Sequence, residues 1–187
     1  DLYLSTDSGA SWTKVDIGSS VNTNAYSLMT FNNKMYAGIS GSVFVSSDNG
    51  ANWGEINNGL PYPPVYALAG SGNYLFSASG WLGVFRSMEN GNSWTEANSG
   101  LTDIDITSLA VSGVYVFAGT RYSGVFRSTD YGSTWTEVNS GLTNKNITAL
   151  AVSGTDIYAG TWGTNSGIFR STDNGNTWAP TGFTTRS

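Results

Sequence analysis

The sequence predicts an all-β protein: a β-propeller of four-stranded antiparallel blades, four full blades preceded by an N-terminal half blade. Three observations carry this. First, one eight-residue motif occurs five times, starting at Ser5, Ser46, Ser87, Ser128 and Ser171, so successive starts lie 41, 41, 41 and 43 residues apart. A fixed period in this range, filled with short β-type segments, marks propeller blades. Second, each interval holds runs of four to six residues rich in Val, Ile, Tyr, Phe and Trp, bounded by Gly, Ser, Asn and Asp; these read as strands of a meander. Third, charged residues are only 11% of the 187 while aromatics reach 13%. That balance favours turn-rich β structure over helix and over disorder.

The unit at 105–140 is the clearest. Ile106 to Val111 gives a first strand (A), Tyr115 to Gly119 a second (B), Val125 to Ser128 a third (C) and Trp135 to Val138 a fourth (D). Short turns separate them: Ser112-Gly113, the loop Thr120–Gly124, and the motif itself between C and D. Residues 147–181 repeat this pattern, and 64–99 and 24–58 follow it more loosely. The domain divides into a half blade at 1–18, supplying only strands C and D, and blades at about 22–60, 64–101, 105–142 and 147–182. The expected whole is part of a larger ring or chain. A ring usually closes by completing one blade from both chain ends, which here would call for further A and B strands. An unclosed first strand leaves free N–H and C=O groups and invites self-association through that edge.

The motif Ser-x-Asp-x-Gly-x-Thr-Trp resembles the Asp-box, or BNR repeat. That repeat is found in sialidases, xyloglucanase-type glycoside hydrolases, sortilin-type receptors and photosystem II assembly factors. The copies at Ser128 and Ser171 match it fully. Those at Ser5 and Ser46 carry Ser11 and Asn52 at the penultimate position, and the copy at Ser87 has Glu89 for Asp. The phrases Asn-Ser-Gly-Leu-Thr (98–102, 139–143) and Leu-Ala-Val-Ser-Gly (109–113, 150–154) also resemble repeats of large secreted bacterial proteins. The resemblance implies a propeller fold and an exported or cell-surface protein; it implies no one activity, because the families that share the motif do different things.

The motif residues have structural roles by their local chemistry. Asp7, Asp48, Glu89, Asp130 and Asp173 can accept hydrogen bonds from backbone N–H groups of their own turns. Gly9, Gly50, Gly91, Gly132 and Gly175 supply positive φ. Trp12, Trp53, Trp94, Trp135 and Trp178 pack an apolar face against the sheet. One carboxylate per turn is too few for a calcium loop, so no metal is expected, and no cofactor. The chain has no Cys and no His, which excludes disulfides, thiolate chemistry, the usual zinc sites and His-based triads.

Function should therefore reside in what does not repeat. Glu55, Glu96 and Glu137 recur two residues after a motif Trp, Arg86, Arg127 and Arg170 recur before a motif Ser, and Asp156 lies in an A–B turn. Asp16, Asp103, Asp105, Arg121 and Lys145 do not recur, and all fall in B–C or D–A connections. Two tryptophans outside the motif, Trp81 and Trp162, lie in B–C loops, and Tyr122 occupies the same loop of the blade between them. In a meander these connections share one face, opposite the motif turns; in the enzymes the chain resembles, the motif face is remote from the active site. Trp81, Tyr122 and Trp162 are candidate stacking platforms, with Arg121, Asp103 and Asp105 as polar partners. Sugar rings fit such a set, because flat aromatics match their C–H faces while carboxylates and guanidinium bond their hydroxyls. A protein segment is equally compatible.

Net charge is −5 without a basic cluster, which disfavours nucleic acid, and no apolar run reaches membrane-spanning length. A sialidase reading is weakened because Arg121 is the one arginine among the non-repeating loop candidates and no Arg-Ile-Pro sequence is present. Glycoside hydrolysis needs two carboxylates roughly 5–10 Å apart. Asp103 and Asp105 are the weak candidates for such a pair, with turn chemistry before strand A as their simpler role. The expectation is a non-enzymatic binding or scaffolding propeller, exported or at the cell surface. A glycoside hydrolase fragment and a structural unit of an extracellular assembly are the alternatives. No signal peptide is visible, but the chain begins mid-pattern at Asp1, so an upstream segment could have been removed.

Overall fold

The structure is a computed structural model and describes residues 2–18, 24–62 and 64–184. Eighteen strands form it. β1 (Leu2–Leu4) and β2 (Thr13–Val15) make a two-stranded half blade. β3 (Ala25–Phe31), β4 (Lys34–Ile39), β5 (Ser42–Ser46) and β6 (Gly54–Glu55) form the second blade. The third is β7 (Val65–Ser71), β8 (Tyr74–Ser79), β9 (Val84–Ser87) and β10 (Thr95–Glu96). The fourth is β11 (Ile106–Ser112), β12 (Tyr115–Thr120), β13 (Val125–Ser128) and β14 (Thr136–Glu137). The last is β15 (Ile147–Ser153), β16 (Asp156–Thr161), β17 (Gly167–Ser171) and β18 (Ala179–Thr184). Each full blade is an antiparallel meander in sequence order, and β3, β7, β11 and β15 contact one another in succession, so strand A is innermost. Among the described residues the one helical turn is a short 3-10 segment, Gly80–Leu82, in the third blade's B–C loop.

Each motif is a C–D turn closed by its own side chains. In the first copy the Ser11 hydroxyl and N–H donate to Asp7 at 2.6 and 2.8 Å, and Ser5 donates at 2.8 Å. The Ser5 oxygen in turn accepts the Gly9 N–H at 2.7 Å. Asp48, Asp130 and Asp173 repeat this pattern with Asn52, Thr134 and Thr177. These donors hold Asp7, Asp48 and Asp173 at about 2, well below an ordinary carboxyl; the side chains of Ser11, Asn52 and Thr177 contribute most. For Asp130, burial pushes upward but is outweighed by the bonds from Thr134 and Ser128, so its net shift is also downward. Glu89, one methylene longer, accepts the Ser93 hydroxyl at only 3.3 Å. Two residues per turn adopt positive φ: the glycine and the residue before it, Ser8, Asn49, Asn90, Tyr131 or Asn174.

The motif Trp does more than cover its own sheet. The indole N–H groups of Trp94, Trp135 and Trp178 donate to the carbonyls of Ile56, Ala97 and Val138 on the preceding blade, each at 2.8 Å. Their backbone N–H groups donate to Asn58, Ser99 and Ser140. In the opposite direction, Arg86 and Arg127 reach the next blade's motif turn, donating to the Tyr131 and Asn174 carbonyls at 2.7 Å. The joints of the fourth blade with its two neighbours are thus stapled both ways, and the joint between the second and third blades by Trp94 alone. Between strands, Gly119 lets the next blade's Ile147 approach; a Cβ there would lie 2.5 Å from the Ile147 side chain.

Trp12 departs from the expectation that every motif Trp is buried. It is 63% exposed, while Trp94, Trp135 and Trp178 are buried. Among the described residues no strand D of another blade lies behind Trp12 to seat it. Trp53 is half-buried and donates to Gly50 within its own turn. At the other end, Ile168 is 41% exposed, whereas Val43, Val84 and Val125 at the matching position are fully buried. The outward face of the last blade therefore exposes an apolar residue at a position that the other blades bury.

Candidate functional site

Because every blade is a meander, its A–B and C–D turns share one rim, and its B–C and D–A connections share the other. Trp81, Tyr122 and Trp162 all stand on the second rim and are 63%, 71% and 72% exposed. Trp81 is carried by the 3-10 turn Gly80–Leu82, which packs against β11 of the next blade. Trp162 is fixed through its backbone: its N–H donates to the Asn146 carbonyl at 2.9 Å, and its carbonyl accepts from Asn144 at 3.1 Å. Tyr122 is fixed in the same way, its N–H donating to Asp103 at 2.9 Å. The rings are free while the backbone beneath them is tied.

The non-repeating charges divide into two kinds. Asp103 accepts the N–H groups of Tyr122, Ser123 and Asp105 at 2.9, 3.1 and 3.0 Å, so it ties the D–A connection to the B–C loop. Asn144, at the same place in the last blade, does the equivalent work with Trp162, Thr164 and Asn146. Asp16 accepts the Gly18 N–H at 2.9 Å, a local turn bond. Lys145 pairs with Glu137 at 2.7 Å, and its side chain leads the effects that lower the Glu137 carboxyl. Asp105 and Arg121 form an ion pair at 2.7 Å on the aromatic rim. Among the described residues no group of three or more Asp or Glu gathers to hold a metal.

Three aromatics on this rim were not among the sequence candidates. Tyr62, in a D–A connection, is 92% exposed and lies against the Ser40-Gly41 turn, where a Cβ on Gly41 would touch its ring. Tyr26 and Tyr66 pair edge to face with centroids 5.4 Å apart. Both occupy the second residue of strand A, where the register with strand B shifts in every blade. Such a bulge re-aims a side chain. Later blades carry Thr107 and Thr148 there, whose hydroxyls donate to backbone carbonyls. Setting the four A strands side by side would have exposed this change from Thr to Tyr; counting charges and tryptophans does not. A separate cavity of about 360 Å³ on the last blade, lined by Arg170, Thr172, Ala179, Pro180 and Thr181, belongs to the motif rim.

The fold and this rim define a β-propeller that presents exposed aromatics from a tied loop face. The chain belongs to the family of the DUF6242 beta propeller domain, whose model matches residues 1–105. No curated protein matches it in sequence. Among solved structures it resembles the extracellular domain of a hybrid two component system from B. thetaiotaomicron, with 17% identity, a TM-score of 0.76, and 95% of this chain covering 25% of that one. It also resembles an ancestral GH74 enzyme, with 20% identity, a TM-score of 0.73, and 95% of this chain covering 28% of that one. The GH74 xyloglucanase from Xanthomonas campestris is similar at 19% identity and a TM-score of 0.68, with 88% of this chain covering 31% of that one. The chain thus spans about a quarter to a third of the length of these proteins, and the likeness is one of fold. No helix among the described residues is long and apolar enough to cross a membrane.

Proposed function

We propose that this propeller is a non-enzymatic binding module of an exported bacterial protein and that its B–C and D–A rim binds a glycan chain. The observation that carries the reading is the set of exposed rings, Trp81, Tyr122, Trp162 and Tyr62, with the backbone under Tyr122 and Trp162 tied by hydrogen bonds. Rigid, solvent-facing aromatics are costly to leave in water and suit stacking on the C–H faces of sugars. They are separated by polar loops, which suits a hydroxylated chain better than the contiguous apolar core of a protein interface. The motif turns are Asp-boxes in this reading, with a structural role only. Export is supported by the likeness to an extracellular domain.

The likeness to GH74 enzymes favours a second reading, a piece of a glycoside hydrolase. Against it, Asp103 is committed to three backbone donors and Asp105 to Arg121, which leaves neither poised as an acid or nucleophile. Isothermal titration with soluble neutral oligosaccharides, paired with product analysis, separates the two. Binding without cleavage that weakens about tenfold or more in Trp81→Ala or Trp162→Ala supports the module. Chain cleavage, or binding indifferent to both substitutions, overturns it.

A further inference from the structure

The Arg121–Asp105 pair has a counterpart that shows which part of it the scaffold needs. In the fourth blade the Arg121 N–H donates to the Asp105 carbonyl at 3.0 Å. In the last blade the Trp162 N–H donates to the Asn146 carbonyl at 2.9 Å. The backbone bridge is the same, yet the residues are an uncharged amide and an aromatic. The ion pair is therefore an addition to the scaffold. It is also half exposed, with side-chain exposures of 45% for Arg121 and 26% for Asp105, and a surface pair of this kind adds little to the stability of a fold.

Its surroundings suit a ligand. Only Arg121 Nε is engaged, by Asp105 Oδ2; among the described residues the two Nη groups donate to nothing and Asp105 Oδ1 accepts nothing. Hydrogen bonding to Asp105 and its charge raise the Arg121 pKa, and Tyr122 and Tyr66 are near enough to add to the effect. Tyr122, the exposed platform of this loop, follows Arg121 directly in sequence. The Trp81 turn packs on β11, which begins one residue after Asp105.

We propose that Arg121 and Asp105, next to the exposed platform Tyr122, form the subsite that reads the sugar, and that Asp105 makes it select neutral over acidic glycans. This rests on the glycan reading above. The pair is neutral overall but offers donors and an acceptor side by side, the combination that adjacent sugar hydroxyls require. A uronate carboxylate would meet no net positive charge there, and would approach a protein of net charge −5. Asp105 is the switch: Asn at 105 keeps the backbone bridge, as Asn146 does, and releases the Arg121 charge.

The experiment compares the wild-type chain with Asp105→Asn and Arg121→Ala, using a neutral oligosaccharide (mixed hexamers of glucose, mannose and xylose) and an oligogalacturonate as probes. Wild type is expected to bind a neutral hexamer and not the uronate. Asp105→Asn should gain uronate binding, with preference shifted roughly tenfold or more toward it and falling with added salt, and Arg121→Ala should bind neither well. Unfolding midpoints confirm that both variants fold. If wild type binds neutral sugars through Trp81 but Asp105→Asn leaves the preference unchanged, this inference is overturned and the glycan reading stands. If wild type prefers the uronate, the role given to Asp105 is wrong. If no glycan binds, both fall.

Discussion

Trp135 and Trp12 occupy the same motif position but not the same surroundings, so one substitution made at both sites tests the joint between blades. Trp135 is 4% exposed, its indole donates to Ala97 at 2.8 Å, and its backbone donates to Ser99 at 2.9 Å. A buried Trp removes about 200 Å² from water, worth roughly 5 kcal/mol at about 25 cal/mol per Å² as an upper bound. Truncation of buried Trp in other cores costs about 3–5 kcal/mol. Trp135→Ala should therefore lose about 4 kcal/mol, and Trp135→Phe about 1–2 kcal/mol, mainly from the Ala97 carbonyl left without its donor. Trp12, 63% exposed, should lose less than about 1 kcal/mol on truncation to Ala. Urea unfolding followed by far-ultraviolet circular dichroism reads these differences as shifts in midpoint at constant slope. Equal losses at the two sites would show that the Trp acts within its own turn, and the account of the joint would be wrong.

Two further outcomes are expected. Asp173 is held at about 2 by Thr177 and Ser171, so between that value and the ordinary carboxyl range the unfolded chain binds more protons. The stabilisation should be complete above about pH 4 and lost as pH falls toward 2; Asp173→Ala should flatten that acid slope in urea midpoints measured from pH 2 to 5, and an unchanged slope would refute the assignment. The open face of the last blade should make the chain self-associate. Sedimentation velocity is expected to show larger species as concentration rises and none for Ile168→Glu, and a monomer at every concentration would refute it.

The fold was legible because its determinants are local and repeated. The period of the motif, the Gly and Asn of each turn and the alternation in each strand all act within a few residues. The rim positions of Trp81, Tyr122 and Trp162 followed from counting connections in a meander. What could not be read was relational. The partners of Arg86 and Arg127 lie 45 and 47 residues downstream on the next blade, and no local pattern encodes that reach. Tyr26 and Tyr66 look like ordinary strand residues, since a bulge leaves no mark on alternation. Asp103 reads as a candidate acid until its backbone donors are seen, and Trp12 reads like any other motif Trp until its exposure is.

The staples between blades all point the same way: arginine forward, tryptophan backward. The third and fourth blades each carry both devices within a 41-residue segment, whereas the second has Val45 in place of the arginine and its Trp53 bonds within its own turn. Duplicating or deleting such a segment in the gene leaves every surviving joint chemically intact, so the lineage can change ring size in whole steps without redesigning an interface. The B–C loops on the opposite rim supply none of these bonds. They can diverge copy by copy, and the molecule can keep its inheritance on one face while it varies its recognition on the other.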